Sequence, residues 1–166
     1  MRTRTLVIAT CTASLLCVIA GSAVSGAEDD DHYLTGTQTF IEDIEPGMYA
    51  ELEGMDEIRG ASAAYDLRMS DPRVSGALTT RDVSMDAYTG SRLAFDGAVE
   101  LVTEAGTWTG TTAGVFEPTM GWQILSELEG WGDLEGLTFY LHGASPEMAD
   151  GTWEMEGFIV GEPLAE

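Results

Sequence analysis

The chain has 166 residues, of which 29 are acidic and 7 are basic, giving a formal net charge of −22. All seven basic residues are arginines, so the sequence offers no basic patch that could displace counterions from phosphates, and we expect neither nucleic acid nor anionic membranes as partners. The hydrophobic fraction of 44% is that of one packed globular domain. The acidity itself has two interpretations: a solubility device suited to a salty environment, or a surface for a cation or a basic partner.

Residues 1–27 have the layout of a cleaved secretory signal peptide. They contain no Asp or Glu, Arg2 and Arg4 precede an apolar run, and small residues end at Ala27. The apolar run is shorter than the roughly 20 residues that span a bilayer, so we expect secretion without stable membrane insertion. Both cysteines, Cys11 and Cys17, lie in this leader. The mature chain would therefore lack disulfides and thiolate metal sites.

The remaining chain is predicted to be one β domain, 33–161, between an acidic disordered tail at 28–32 and a C-terminal tail at 162–166. Short runs with alternating apolar and polar residues follow one another, separated by Gly, Pro and Asp. The clearest hairpin is 94–116, two such runs around Glu104-Ala105-Gly106. The predicted strands are 33–41, 48–52, 61–69, 74–80, 93–103, 107–116, 120–128, 136–142 and 152–160, with 81–92 treated as a loop that contains a short strand at 83–85. The connections 53–60, 129–136 and 143–151 are also predicted to be loops.

This spacing predicts an all-β fold, an antiparallel up-and-down barrel of about eight strands, with a β-sandwich as the alternative. Three glycines in and beside the run 107–116 indicate a bend, a bulge or close backbone packing, as barrel closure requires.

Two resemblances are carried by particular stretches. The run 69–76 (MSDPRVSG), the run 106–110 (GTWTG) and the run 132–137 (GDLEGL) resemble a set of uncharacterised secreted bacterial proteins in which related motifs occur in this order. More remotely, GTWTG followed by a Gly-rich loop is similar to the allene-oxide-cyclase-like barrel, the eight-stranded fold of dirigent proteins. The first resemblance implies no activity, and the second implies a barrel with an apolar cavity and no transferable catalytic residue.

No catalytic, metal or cofactor site is predicted. The chain beyond residue 27 has two histidines, His32 and His142, and contains neither an H-E-x-x-H zinc motif nor a G-x-S-x-G nucleophile elbow. Carboxylate pairs such as Glu154 and Glu156 are interpreted as solvated surface charges. Asp66, Arg68, Asp71 and Arg73, around one turn, are interpreted as a structural salt-bridge network, with an anion site as the alternative.

The aromatic residues are the candidate site. Five of them fall on the apolar parity of their strands and should point inward: Tyr65, Trp108, Trp122, Phe139 and Trp153. They either fill the core or line a cavity for a small hydrophobic ligand.

Three functional hypotheses remain open. The first is a secreted non-enzymatic barrel that binds such a ligand. The second is a cyclase- or isomerase-type enzyme that uses the same cavity, which would need a buried carboxylate such as Glu100, or Asp96 if a bulge at Gly97 reverses the strand parity. The third is an extracellular surface-interaction protein. The ligand and the oligomeric state are not predicted.

Overall fold

The computed structural model describes residues 33–52, 55–88, 92–145 and 151–162. The predicted signal peptide, the acidic tail at 28–32 and all but the first residue of the predicted C-terminal tail lie outside the described residues. The strands are β1 (Tyr33–Glu45), β2 (Met48–Leu52), β3 (Met55–Met69), β4 (Gly76–Tyr88), β5 (Arg92–Val102), β6 (Thr107–Glu117), β7 (Gly121–Trp131), β8 (Leu137–Ser145) and β9 (Thr152–Gly161). None of the helical segments in this described part is long and apolar enough to cross a membrane.

The strands form a closed barrel. From β3 to β9, each strand pairs antiparallel with the next one along the chain. The sheet closes because β1 pairs with β9 along one edge and with β3 along the other. The short strand β2 pairs with β3 outside this ring of eight. The predicted antiparallel up-and-down barrel of about eight strands is confirmed, and the chain is not a β-sandwich.

Several segments predicted to be loops are strands. The start of β3 (Met55–Gly60), the last eight residues of β4, and the ends of β7 and β8 all continue the sheet. For example, Met55 to Ile58 pair with Met85 to Tyr88 in register. These stretches are polar or rich in glycine, so their hydrophobic pattern is weak. They are strands because the neighbouring strand supplies the backbone hydrogen bonds, and their polar side chains can face solvent.

One end of the barrel, where β1, β4, β6 and β8 begin, is filled with side chains; we call it the closed end. Two 3₁₀ turns, Pro72–Val74 and Gly132–Leu134, place Val74 and Leu134 over the interior there. Val74, the last residue of the first turn, was predicted to begin the strand 74–80. Buried side chains packed below the turns include Leu67, Leu101, Trp108, Leu128, Phe139, Leu141 and Met155.

A hydrogen bond ties the first turn to the core. The indole Nε1 of Trp108 donates to the carbonyl oxygen of Arg73 at 2.8 Å. Asp71 caps the same turn, because its Oδ1 accepts from the backbone N–H of Arg73 at 2.8 Å. The closed end is therefore held by both apolar burial and directed polar contacts.

Candidate functional site

The opposite end, where β3, β5, β7 and β9 begin, contains a cavity of about 310 Å³. Leu93, Trp122 and Trp153, the second residues of β5, β7 and β9, belong to its wall. The other described residues that line it are Tyr65, Thr80, Val83, Met85, Phe95 and Ile124. The barrel interior is therefore filled with side chains at one end and contains apolar space at the other.

The five aromatic residues predicted to face inward are divided between the two ends. Tyr65, Trp122 and Trp153 line the cavity. Trp108 and Phe139 are fully buried at the closed end, where their ring centroids lie 5.9 Å apart. Strand parity predicts which face of the sheet a side chain occupies, and it carries no information on its depth along the barrel axis.

Sequence reasoning did not assign the other six residues of the wall to the site. Leu93, Phe95 and Ile124 had the inward parity of their predicted strands, which was a usable signal. Val83 and Met85 fell in the short strand predicted within the loop 81–92, and no facing was assigned to that strand. Pairing of β4 with both β3 and β5 brings these two residues to the cavity.

Aromatic contacts build two sides of the cavity wall. On one side, the rings of Tyr65 and Trp153 meet edge to face with centroids 5.9 Å apart. In a second cluster, Trp122 on β7 contacts Phe95 at 5.8 Å and Phe116 at 5.2 Å. Tilted and edge-to-face pairs are favourable ring arrangements, so each side is stabilised before any ligand is present.

A glycine makes room for one of these sides. Gly114 stands between Phe95 and Ile124 in the register of β5, β6 and β7. A Cβ atom at Gly114 would lie 2.6 Å from Cζ of Phe95. The glycine expected to mark close packing in β6 therefore admits the Phe95 ring, and the pairing of β6 with β5 and β7 shows no register shift.

A β-bulge lies on β4, opposite Gly97, the residue of β5 at which the sequence analysis considered a bulge. The β4–β5 register shifts between Arg81 and Ser84, so that Asp82 and Val83 stand against Gly97. Asp82 has a φ of 51°, in the left-handed region. The bulge accompanies the entry of Val83 into the cavity wall, whereas β5 keeps its alternation with β6 unbroken.

Neither candidate carboxylate of the enzyme hypothesis lines this cavity. Asp96 is exposed on β5. Glu100 pairs with Arg81 at 3.0 Å, and both side chains are partly solvent-accessible. The bulge on β4 does not reverse the parity of β5, so the expectation that Asp96 could turn inward at Gly97 is wrong.

The described cavity wall has little polar character. Its titratable side chain is Tyr65, whose pKa is raised above the usual 10.0 mainly by burial, opposed by a hydrogen bond with Thr80. The remaining lining side chains are aliphatic, aromatic or thioether groups apart from Thr80. Such a wall favours an apolar occupant over an ion.

A second groove, of about 280 Å³, lies on the outer wall of the barrel. Its floor includes Tyr140 and Phe158, whose rings stack with centroids 5.1 Å apart. The hydroxyl of Tyr33 donates to Glu156 at one side of it. Leu125, which is 50% exposed, lies at another side.

Charged side chains of the described residues pair with one another on the surface. Each of the five arginines in this part of the chain contacts at least one carboxylate: Arg59 contacts Glu57 and Asp86, Arg68 contacts Asp66, Arg73 contacts Asp71, Arg81 contacts Glu100, and Arg92 contacts Glu117. The salt bridges predicted between residues 66 and 73 are confirmed. Within the same described part, no three His, Asp or Glu side chains come together in a way that could hold a metal ion.

Comparisons with protein-family models, with curated proteins and with solved structures found no match for this chain.

Proposed function

We propose that this protein is a secreted, non-enzymatic β-barrel that binds a small hydrophobic molecule in the cavity described above. The observation that carries the proposal is the cavity itself, about 310 Å³ of space between aromatic and aliphatic side chains. Binding pockets for small molecules start at roughly 300 Å³ and are lined mostly by such residues. Secretion rests on the signal-peptide pattern of residues 1–27.

The volume limits the size of the ligand. A cavity of roughly 150 Å³ is known to hold benzene, so the cavity here has space for about twice that molecule. Compounds with on the order of ten to fifteen non-hydrogen atoms, such as monoterpenes and bicyclic hydrocarbons, match this size. The allene-oxide-cyclase-like resemblance in the sequence is consistent with such a cavity and stays a prediction.

The test is a titration of the purified protein with 1-aminonaphthalene, a neutral, largely apolar probe within this size range, whose emission shifts to shorter wavelength in apolar surroundings. Because Trp122 and Trp153 line the cavity, quenching of tryptophan emission gives a second signal. We expect saturation at one probe per chain, followed by displacement with terpenoids from a panel that also contains fatty acids.

Two neighbouring residues provide a matched pair of variants. Ile124 lines the cavity, and Leu125, the next residue of β7, lies on the outer groove. Ile124→Phe puts three more carbon atoms into the cavity and should weaken probe binding at least tenfold, whereas Leu125→Phe should change it less than twofold.

The opposite pattern would place the probe in the outer groove and refute the cavity proposal in favour of a surface-interaction role. An absence of saturable binding in all three proteins would also refute it.

A further inference from the structure

The four tryptophans of the described chain differ in what their indole N–H groups contact. Nε1 of Trp108 donates to the carbonyl oxygen of Arg73 at 2.8 Å, and Nε1 of Trp131 donates to Oγ1 of Thr109 at 2.7 Å. Nε1 of Trp122 and Nε1 of Trp153 are buried and have no hydrogen-bond partner. The two unpartnered indoles are the two that line the cavity.

Two unpartnered donors in one cavity wall need an explanation. Buried tryptophans usually find an acceptor for the indole N–H, and a buried donor without an acceptor destabilises the folded state. Trp122 is only 7% exposed, so bulk solvent does not reach most of its ring. An acceptor brought in by a ligand would satisfy what the chain leaves open.

The described polar groups of the wall do not supply that acceptor. Tyr65 and Thr80 interact with each other, and Oγ1 of Thr80 also approaches the carbonyl oxygen of Ala63 at 3.5 Å. The nearest ring contacts of the two tryptophans are with Tyr65, Phe95 and Phe116. These contacts position the indole rings and leave the N–H groups without an oxygen partner.

Electrostatics disfavour a negatively charged acceptor. No Arg, Lys or His is among the described residues of the cavity wall. Each arginine in the described part of the chain is already paired with a carboxylate, and the whole chain has a net charge of −22. Burying a carboxylate or phosphate here would therefore incur the cost of desolvating an unpaired anion.

We propose that the cavity selects a neutral, mostly hydrocarbon ligand carrying a carbonyl or ether oxygen, which accepts hydrogen bonds from the indole N–H groups of Trp122 and Trp153. This inference rests on the proposed function and adds the chemical class of the ligand. Both nitrogen atoms are covered by protein atoms. The proposal therefore includes a rotation of each indole ring that turns its N–H toward the ligand.

The experiment compares three ligands built on the same bicyclic ring system: trans-decalin, trans-2-decalone and trans-decahydronaphthalene-2-carboxylate at pH 7. Their affinities are measured by displacement of 1-aminonaphthalene from the wild-type protein and from the Trp122→Phe and Trp153→Phe variants. Phenylalanine keeps an aromatic ring at each position and removes the N–H donor. Trp131→Phe is the control, because its indole bonds Thr109 outside the cavity wall.

We expect Trp122→Phe and Trp153→Phe each to weaken binding of the ketone about 3- to 10-fold, the range of one neutral hydrogen bond. Binding of the hydrocarbon should change less than twofold in both variants, and Trp131→Phe should leave both affinities unchanged. The carboxylate should bind at least 100-fold more weakly than the ketone. In infrared spectra, the carbonyl stretch of the bound ketone should move to lower wavenumber, and each variant should reverse part of this shift.

Failure of this inference differs from failure of the proposed function. If the hydrocarbon and the ketone lose affinity equally in the tryptophan variants, or if the carboxylate binds as tightly as the ketone, the assigned ligand class is overturned while cavity binding stands. If none of the three ligands displaces the probe and Ile124→Phe has no effect, both proposals are overturned.

Discussion

Replacing Trp108 by Phe tests whether the structure assigns this residue correctly to the closed-end core. Trp108 is fully buried, and its indole carries a hydrogen bond that holds the Pro72–Val74 turn over the barrel end. In a cavity-lining role, the same change would alter ligand binding with little effect on the fold. In a core role, it should destabilise the fold and leave the cavity unchanged.

The magnitude follows from two losses. The indole side chain has two more carbon atoms than the side chain of Phe, and their burial contributes about 1.6 kcal/mol at ~0.8 kcal/mol each. The carbonyl oxygen of Arg73 loses the partner that the structure shows, at a cost of roughly 1–3 kcal/mol. Trp108→Phe should therefore lower the free energy of unfolding by about 2.5–4.5 kcal/mol.

The assay is equilibrium unfolding in urea, followed by far-ultraviolet circular dichroism. Trp131→Phe is the matched control, because that indole also donates one hydrogen bond but its side chain is 55% exposed. We expect the control to cost less than about 1 kcal/mol. If the two variants lose similar stability, or if Trp108→Phe weakens probe binding while the fold keeps its stability, the assignment of Trp108 to the core is refuted.

Three further predictions concern the backbone, the alkaline limit and the charge. Gly110→Ala should cost more than about 3 kcal/mol, because its Cβ would overlap the carbonyl oxygen of Glu127 and lie 2.8 Å from the Cα atom of Leu128. Gly132→Ala is the control: its Cβ would meet no atom within 4 Å, and its φ of +71° is the only source of strain, so it should cost about 1–2 kcal/mol. Equal losses of stability in Gly110→Ala and Gly132→Ala in urea unfolding would contradict the clash argument. The raised pKa of Tyr65 contributes stability that is fully present below pH 10.0 and is lost as the pH rises through the folded-state pKa. Tyr65→Phe should therefore flatten the decline of the melting temperature at alkaline pH. An unchanged decline would show that Tyr65 is not its source. Because the net charge is −22, raising NaCl from about 0.05 to 1 M should raise the melting temperature by several degrees, since the Debye length falls from over 10 to about 3 Å. A melting temperature that stays constant or falls with NaCl would count against self-repulsion as a destabilising term.

The sequence by itself determined the fold class and the facing of the side chains. Alternation with a period of two is a local property of an extended chain, so Leu101 and Phe139 could be placed inside and Glu154 and Glu156 on the opposite face before any partner strand was known. Turn-forming residues likewise predicted connections such as 104–106 from local sequence alone. The number and spacing of these units predicted an antiparallel barrel of about eight strands with a β-sandwich as the alternative, and pairing of β1 with both β3 and β9 decided for the barrel.

Strand length was decided by tertiary pairing. The stretches 55–60 and 81–88 have no strong apolar alternation, and they are strands because a neighbouring backbone meets their N–H and C=O groups. The bulge at Asp82 and Val83 is likewise a relation between two strands, with two residues facing one. The sequence of β4 alone does not show how many residues of β5 lie opposite it, so the bulge could not be predicted from it.

The position of the candidate site was also decided by tertiary structure. All five predicted aromatic residues lie on the inward face of their strands. Trp108 and Phe139 nevertheless fill the closed end, while Tyr65, Trp122 and Trp153 surround the cavity. Position along the predicted strands, with the alternating directions of an up-and-down sheet, already separates Trp108 from Trp122 and Trp153, whereas Tyr65 and Phe139 fall at the middle of their predicted strands. Only the tertiary structure decided which end is filled, because the two 3₁₀ turns pack Val74 and Leu134 over one end of the barrel. The turn Pro72–Val74 also brings the carbonyl oxygen of Arg73 to the indole of Trp108, whereas the indole N–H groups of Trp122 and Trp153 meet no such oxygen. The local pattern therefore determined which side chains enter the barrel, and packing at its two ends determined which of them surround a cavity.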